Sequence, residues 1–150
     1  MRFLISLIVI GTWITSAALA GTVEGKCPYV FTKDSKIAIV HYGDFEPQAF
    51  VDRIVKKLDE NAGYILVRPE MDLKNPAYSF HYAIEADGNA KRVNPAITLI
   101  YRTGDEAETR MIMKSKRVRN NDSRLSAVEA LIDSAVRDVP VCPARRNQRH

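Results

Sequence analysis

The sequence predicts an α/β domain, a two-layer sandwich in which a mixed sheet of about five strands carries two helices on one face. Its predicted order is β-α-β-β-β-β-α. Three observations lead there. Short β-branched and aromatic runs are separated by Gly, Pro and Asp breaks. Two segments, near 47–60 and 123–139, carry an apolar stripe at helical spacing. Over 36–68, strand, helix and strand follow closely, as in a βαβ unit with two parallel strands.

The first strand is expected over Lys36 to Tyr42, with hydrophobic residues on both alternating faces, as in a strand covered on two sides. Gly43 and Asp44 break it, and Pro47 suits a first helical turn. A helix should then run to about Glu60, with Phe50, Val51, Ile54, Val55 and Leu58 as its stripe and Asp52 spaced to pair with Lys56. Asn61 to Gly63 supply the stop. Tyr64 to Arg68 forms a second short strand ended by Pro69, and 70–77 reads as a loop. Tyr78 to Ala86 alternates Tyr78, Phe80, Tyr82 and Ile84 with Ser79, His81, Ala83 and Glu85, a half-exposed antiparallel strand. Ala96–Arg102 and Glu108–Val118 flank Thr103-Gly104-Asp105 as a hairpin. Ser123 is placed to cap a last helix whose stripe is Leu125, Val128, Leu131, Ile132, Ala135 and Val139, and Pro140 ends it. No repeat or low-complexity tract interrupts these elements.

The N-terminus reads as an export signal. Arg2 gives a positive start, Phe3 to Ile14 a mostly apolar core, and Ala18-Leu19-Ala20 small residues at the positions a signal peptidase reads. The apolar run is too short to span a ~30 Å hydrocarbon core. The expected organisation is therefore a signal peptide over 1–20, one domain over 21–143 and a disordered basic tail over 144–150. Cleavage removes one charge, Arg2, from a formal net charge of +4. The remaining mild basicity does not specify nucleic acid. The product is expected to be periplasmic or secreted, with no stable membrane insertion after cleavage.

The chain has two cysteines, Cys27 and Cys142, one near each end of the expected domain. An oxidising compartment favours a bridge between them, which in the chain-entropy model contributes roughly 4 to 5 kcal/mol. Free thiols and an intermolecular bridge are the alternatives. Neither cysteine has a second Cys or a His at metal-ligand spacing, and no cofactor motif is present, so neither metal nor cofactor is expected.

Candidate chemistry is sparse. His41 ends the first predicted strand, and His81 lies on the polar face of a later one; with Lys114 or Lys116 they are the best version of a small hydrolase or nuclease. A histidine at a strand end more often serves structure. Asp44 and Glu46 stand just before a helix, where complementing its N-terminal dipole outweighs a paired-carboxylate role. No G-x-S-x-G turn, phosphate loop or H-E-x-x-H pair occurs, so a non-enzymatic role is favoured over an enzymatic one.

The densest basic stretch, Arg110 to Arg119, reads as a strand with Met111 and Met113 on one face and Arg110, Lys114 and Lys116 on the other. Those three, with His81, Glu85 and Arg102, form the candidate interaction surface. It lacks the interleaved aromatics of a nucleic-acid platform, and an edge strand guarded by lysine is the plainer reading. The first two predicted strands are apolar on both faces, yet only two helices are available. Either the N-terminal segment clasped by Cys27, another copy of the chain or a different protein must cover the second face.

The IAIV run at 37–40, the helix to about 60, the YILVRPE segment at 64–70, the hairpin around 103–105 and the closing helix at 125–139 together give a resemblance. The pattern resembles the periplasmic α/β domain of the penicillin-binding-protein activator lipoproteins and the N-terminal domain of the Tol-system translocation protein. That resemblance implies a non-enzymatic envelope protein that docks other proteins. No lipidation cysteine follows the signal, so the outer-membrane tether of the lipoproteins is not implied. The expected function is protein–protein interaction in the cell envelope, with an envelope protein or a second copy as partner. A small secreted enzyme using His41 and His81, and an exported inhibitor or effector, are the alternatives.

Overall fold

The computed structural model describes residues 25–37, 47–67, 77–85, 95–104, 108–118 and 124–146. The predicted export segment 1–20, most of the loop 70–77, and His41, Asp44, Glu46, Asp105, Arg119 and Ser123 lie outside these residues, as do 38–42 of the predicted first strand.

The sheet begins earlier than the sequence reading placed it. β1 is Cys27–Phe31, and β2 (Lys36–Ile37) is the described part of the predicted first strand. Both pair in parallel with β4 (Tyr78–Glu85), Phe31 opposite Phe80 and Ile37 opposite Ile84. Between them a turn, closed by Ser35 N–H donating to the Thr32 carbonyl, lets the chain step along one side of the same strand. β3 (Tyr64–Leu66) lies on the other side of β1, with Cys27 opposite Tyr64. The parallel partner of β3 is thus β1. β5 (Ala96–Thr103) and β6 (Thr109–Ser115) complete the sheet as an antiparallel hairpin, and the order is β3-β1-β4-β5-β6. The result is a mixed sheet of six strands, one more than the sequence reading counted.

Cys27–Phe31 is therefore a central strand and does not lie across the sheet as a cover. Cys27 and Tyr29 point inward from it and are buried.

α1 (Pro47–Lys57) runs into a π-helical turn, Leu58–Ala62. Gly63 ends it with φ 77°, the left-handed conformation only glycine adopts freely. α2 is Arg124–Arg137, and a short α3, Pro143–Arg146, extends into the first three residues of the expected basic tail. Phe50, Ile54 and Leu58 from the first helix and Val128, Leu131, Ile132, Ala135 and Val136 from α2 join one core with the sheet. Leu125 is not part of it; it is 50% exposed. It shares a row with Glu129 one turn on, while the buried row runs through Arg124, Val128, Leu131 and Ala135. The two helices are clasped by Arg53, whose guanidinium donates to both Asp133 carboxylate oxygens at 2.9 and 2.7 Å. Asp52 accepts from Gln48, and Lys56 lies 3.8 Å from Glu60.

Under the helices the sheet presents an aromatic layer of Tyr29, Phe31, Tyr64, Tyr78, Phe80, Tyr82 and Tyr101. Most neighbours meet edge to face, for example Tyr29 and Phe80 with ring centroids 5.0 Å apart. Burial pushes the Tyr29 and Tyr64 phenols well above their ordinary range, so both stay neutral.

Cys27 and Cys142 form a disulfide, with Cα atoms 5.9 Å apart and a sequence separation of 115. Backbone bonds brace the junction. Cys27 N–H donates to the Gly63 carbonyl, and Cys142 N–H to the Ala62 carbonyl. Arg145 of α3 donates to the Glu60 carbonyl at 2.9 Å. Among the described residues no helix is long and apolar enough to cross a membrane.

Candidate interaction surface

Strand geometry decides what the second sheet face carries, because residues alternate between faces along each strand. The helix-covered face takes Phe80, Tyr82 and Ile84 of β4 and, opposite them, Tyr101, Leu99 and Ile97 of β5. The open face takes the residues in between. Its rows can be read across the sheet from the pairing. One row is Val30, Ser79, Arg102 and Thr109; the next is His81, Ile100 and Met111. A third is Lys36, Ala83, Thr98 and Met113, and a fourth Glu85, Ala96 and Ser115. Pro28 and Ile65 extend the face toward β3.

Among the described residues, both main helices pack on the aromatic side and none on this one. Pro28, Val30, Ile65, Ala83, Thr98 and Ile100 are half-buried. Met111 and Met113 stand out at 63% and 68% exposed. Contiguous exposed apolar surface marks contact sites, and methionine, being flexible, suits adaptable ones.

The six residues of the predicted surface divide between the faces. His81, Glu85 and Arg102 lie on the open face, with the two methionines. Arg110 and Lys114 lie on the helix side, opposite Tyr101 and Ile97. Each has an acidic partner there: Arg110 pairs with Glu108, and Lys114 with Asp138 beyond α2 at 2.5 Å. Lys116 follows the end of β6 and is exposed. Met111 and Met113, which the sequence reading set apart from the candidate surface, share the open face with His81, Glu85 and Arg102. The signal that finds them is the register of the hairpin, which couples the face of β6 to the aromatic alternation of β4.

His81 is half-buried, and its Nδ1 makes a 3.2 Å hydrogen bond with the Thr32 hydroxyl, tying β4 to the end of β1. His41 lies outside the described residues, so its distance from His81 is not defined. No cluster of three potential metal ligands occurs among the described residues.

No protein-family model matches this sequence, and no curated protein matches it. Solved structures do. A PelC dodecamer from Paraburkholderia phytofirmans is similar with TM-score 0.52 at 9% identity, over 79% of this chain and 91% of that one. CT253 from Chlamydia trachomatis gives TM-score 0.43 at 9% identity, over 74% and 98%. The C-terminal domain of LpoB from Salmonella enterica gives TM-score 0.41 at 12% identity, over 67% and 87%. The likeness to the activator-lipoprotein domain is thus found among solved structures as well as in the sequence pattern, while the likeness to the Tol-system domain is not shown by them. At 9% identity what the likeness to PelC shows is the fold alone.

Proposed function

We propose that the chain is an exported protein of the bacterial cell envelope that acts without catalysis, by docking another envelope protein on the open face of its sheet. The observation that carries this reading is the pair Met111 and Met113, exposed beside Ile100 on a face without a helix among the described residues. The N-terminal export pattern and the Cys27–Cys142 disulfide support placement outside the cytoplasm, where such bridges persist. Glu85 and Arg102, at the ends of their strands, give the face a mixed polar border, the composition of a surface that must also be stable in water. PelC, which shares the fold, is described as a dodecamer, so a second copy of this chain is the other occupant to test.

A photo-crosslinking residue in place of Met113, in the full chain expressed in its own envelope, tests the reading. One dominant envelope protein, captured from position 113 and not from exposed Gln48 on α1, is expected. Self-crosslinks alone would replace the reading with homo-oligomerisation. Equal capture from both positions, or none, would overturn it.

A further inference from the structure

The Cys27–Cys142 bridge sits where the start of β1, the π-helical turn and the segment after α2 meet. Both cysteines are buried and belong to the core cluster, together with Ala62, Tyr64 and Val139. The residues around Cys142 in sequence lie shallower. Val141 and Ala144 are half-buried, and Pro143 is exposed. A fully buried cysteine within such a segment needs a cover on its outer side, and α3 follows it directly.

One side chain fastens that cover. Arg145 lies across Gly63: a β-carbon on the glycine would stand 2.9 Å from the arginine Cδ, 3.4 Å from its Cβ and 3.5 Å from the Cβ of Cys142. The bare glycine thus leaves room for the arginine stem next to the bridge. The guanidinium reaches the π-helical turn, where Nη1 donates to the Glu60 carbonyl at 2.9 Å. Carbonyls in the last turn of a helix lack intrahelical partners and favour a cation. α3 adds the partly buried Ala144 against the core. That grip is slight beside the aromatic layer under the helices. Segments with few buried apolar contacts open at far less cost than the whole domain.

We propose that α3 is a strap that gates reduction of the bridge. Residues 143–146 lift when Arg145 lets go, and a dithiol then reaches the sulfurs while the sheet stays folded. One thiolate of the dithiol attacks a bridge sulfur, forms a mixed disulfide and expels the other cysteine as a thiolate, which takes up a proton. The second thiolate of the dithiol attacks the mixed disulfide and frees the remaining cysteine in the same way. Two electrons and two protons pass to the protein, which ends with two thiols, and the dithiol ends as a disulfide. The strap acts whatever docks on the open face.

Reduction of the full chain by excess dithiothreitol, followed by alkylation and mass measurement, tests the strap. Arg145→Ala removes one charge-assisted hydrogen bond from the closed state and should speed reduction about tenfold. Phe80→Ala destabilises the whole domain and should change the rate less than about twofold. If unfolding were the route, that variant would be reduced about a hundredfold faster or more. Urea below the unfolding transition gives the same decision on the unaltered chain. Lifting a strap exposes little surface, so the logarithm of the rate should rise with a slope well under that of equilibrium unfolding. An Arg145→Ala rate within about twofold of the unaltered chain, or a urea slope equal to that of unfolding, would overturn the proposal.

Discussion

The two faces of the sheet are built by the same strands and could hardly differ more. On one, Tyr29, Tyr64, Phe80, Tyr82 and Tyr101 stack edge to face beneath two helices and exclude water. On the other, Pro28, Val30, Ala83, Thr98 and Ile100 lie half-covered, with two methionines free at the edge. Rigid aromatic side chains with few rotamers specify a single packing. Methionine is flexible and polarisable, tolerates water when alone, and moulds to what it meets. Stability is therefore expected to depend more on the aromatic face than on the other.

That asymmetry can be broken or sharpened by measurement. The largest effect should come from the covered face. Phe80→Ala, in the centre of the aromatic layer, should cost about 3–5 kcal/mol in urea unfolding, whereas Met113→Ala should stay within about 0.5 kcal/mol. Equal costs would mean that the methionine face is also part of the core. Next comes the closure of the chain. Reducing the Cys27–Cys142 bridge should lower stability by about 2–5 kcal/mol, seen as an earlier urea midpoint in reductant.

A smaller effect is expected at the junction below that bridge. Gly63 has φ 77°, and a Cβ there would stand 2.9 Å from Cδ of Arg145 and 3.5 Å from Cβ of Cys142. The arginine end can move but the left-handed backbone cannot, so Gly63→Ala should cost about 1–2 kcal/mol in the same assay. The smallest effect lies between the helices. Hydrogen bonding from Arg53 holds the Asp133 carboxyl below its ordinary value. The charged form therefore stabilises the fold above the unfolded value of roughly 4, and this contribution is lost as pH falls through the lower folded value. Both partners are about one-third exposed, so Asp133→Asn should cost less than about 1 kcal/mol at neutral pH and flatten the acid limb of the stability curve. An unchanged acid limb would assign the acid sensitivity to other groups.

The helices and the hairpin were legible because their periods are strong. Phe50, Ile54 and Leu58 mark one face of a helix, and the alternation of Tyr78, Phe80, Tyr82 and Ile84 admits only one strand orientation. β1 escaped because Cys27 and Pro28 dilute a run of five residues, and a cysteine near a terminus reads first as a clasp. The face of β6 escaped for a subtler reason. Closing the hairpin with Arg102 opposite Glu108 would put Arg110 beside Ile100 on the open face. The observed register sets Thr103 opposite Glu108, one residue further, and every side chain of β6 changes sides. Loop length is poorly written in a sequence, so the composition of the surface was legible and its side was not. His41 and Asp44 gave a chemical hint on which the described residues are silent.

The bridge between Cys27 and Cys142 has a mechanical consequence. It joins two points 5.9 Å apart with a sequence separation of 115, a stretch whose fully extended contour would be roughly 390 Å. Tension entering at one end of the chain and leaving at the other runs through the two sulfur atoms and bypasses the sheet. A protein so built transmits load as an inextensible link, and its open face keeps its shape while the ends are pulled.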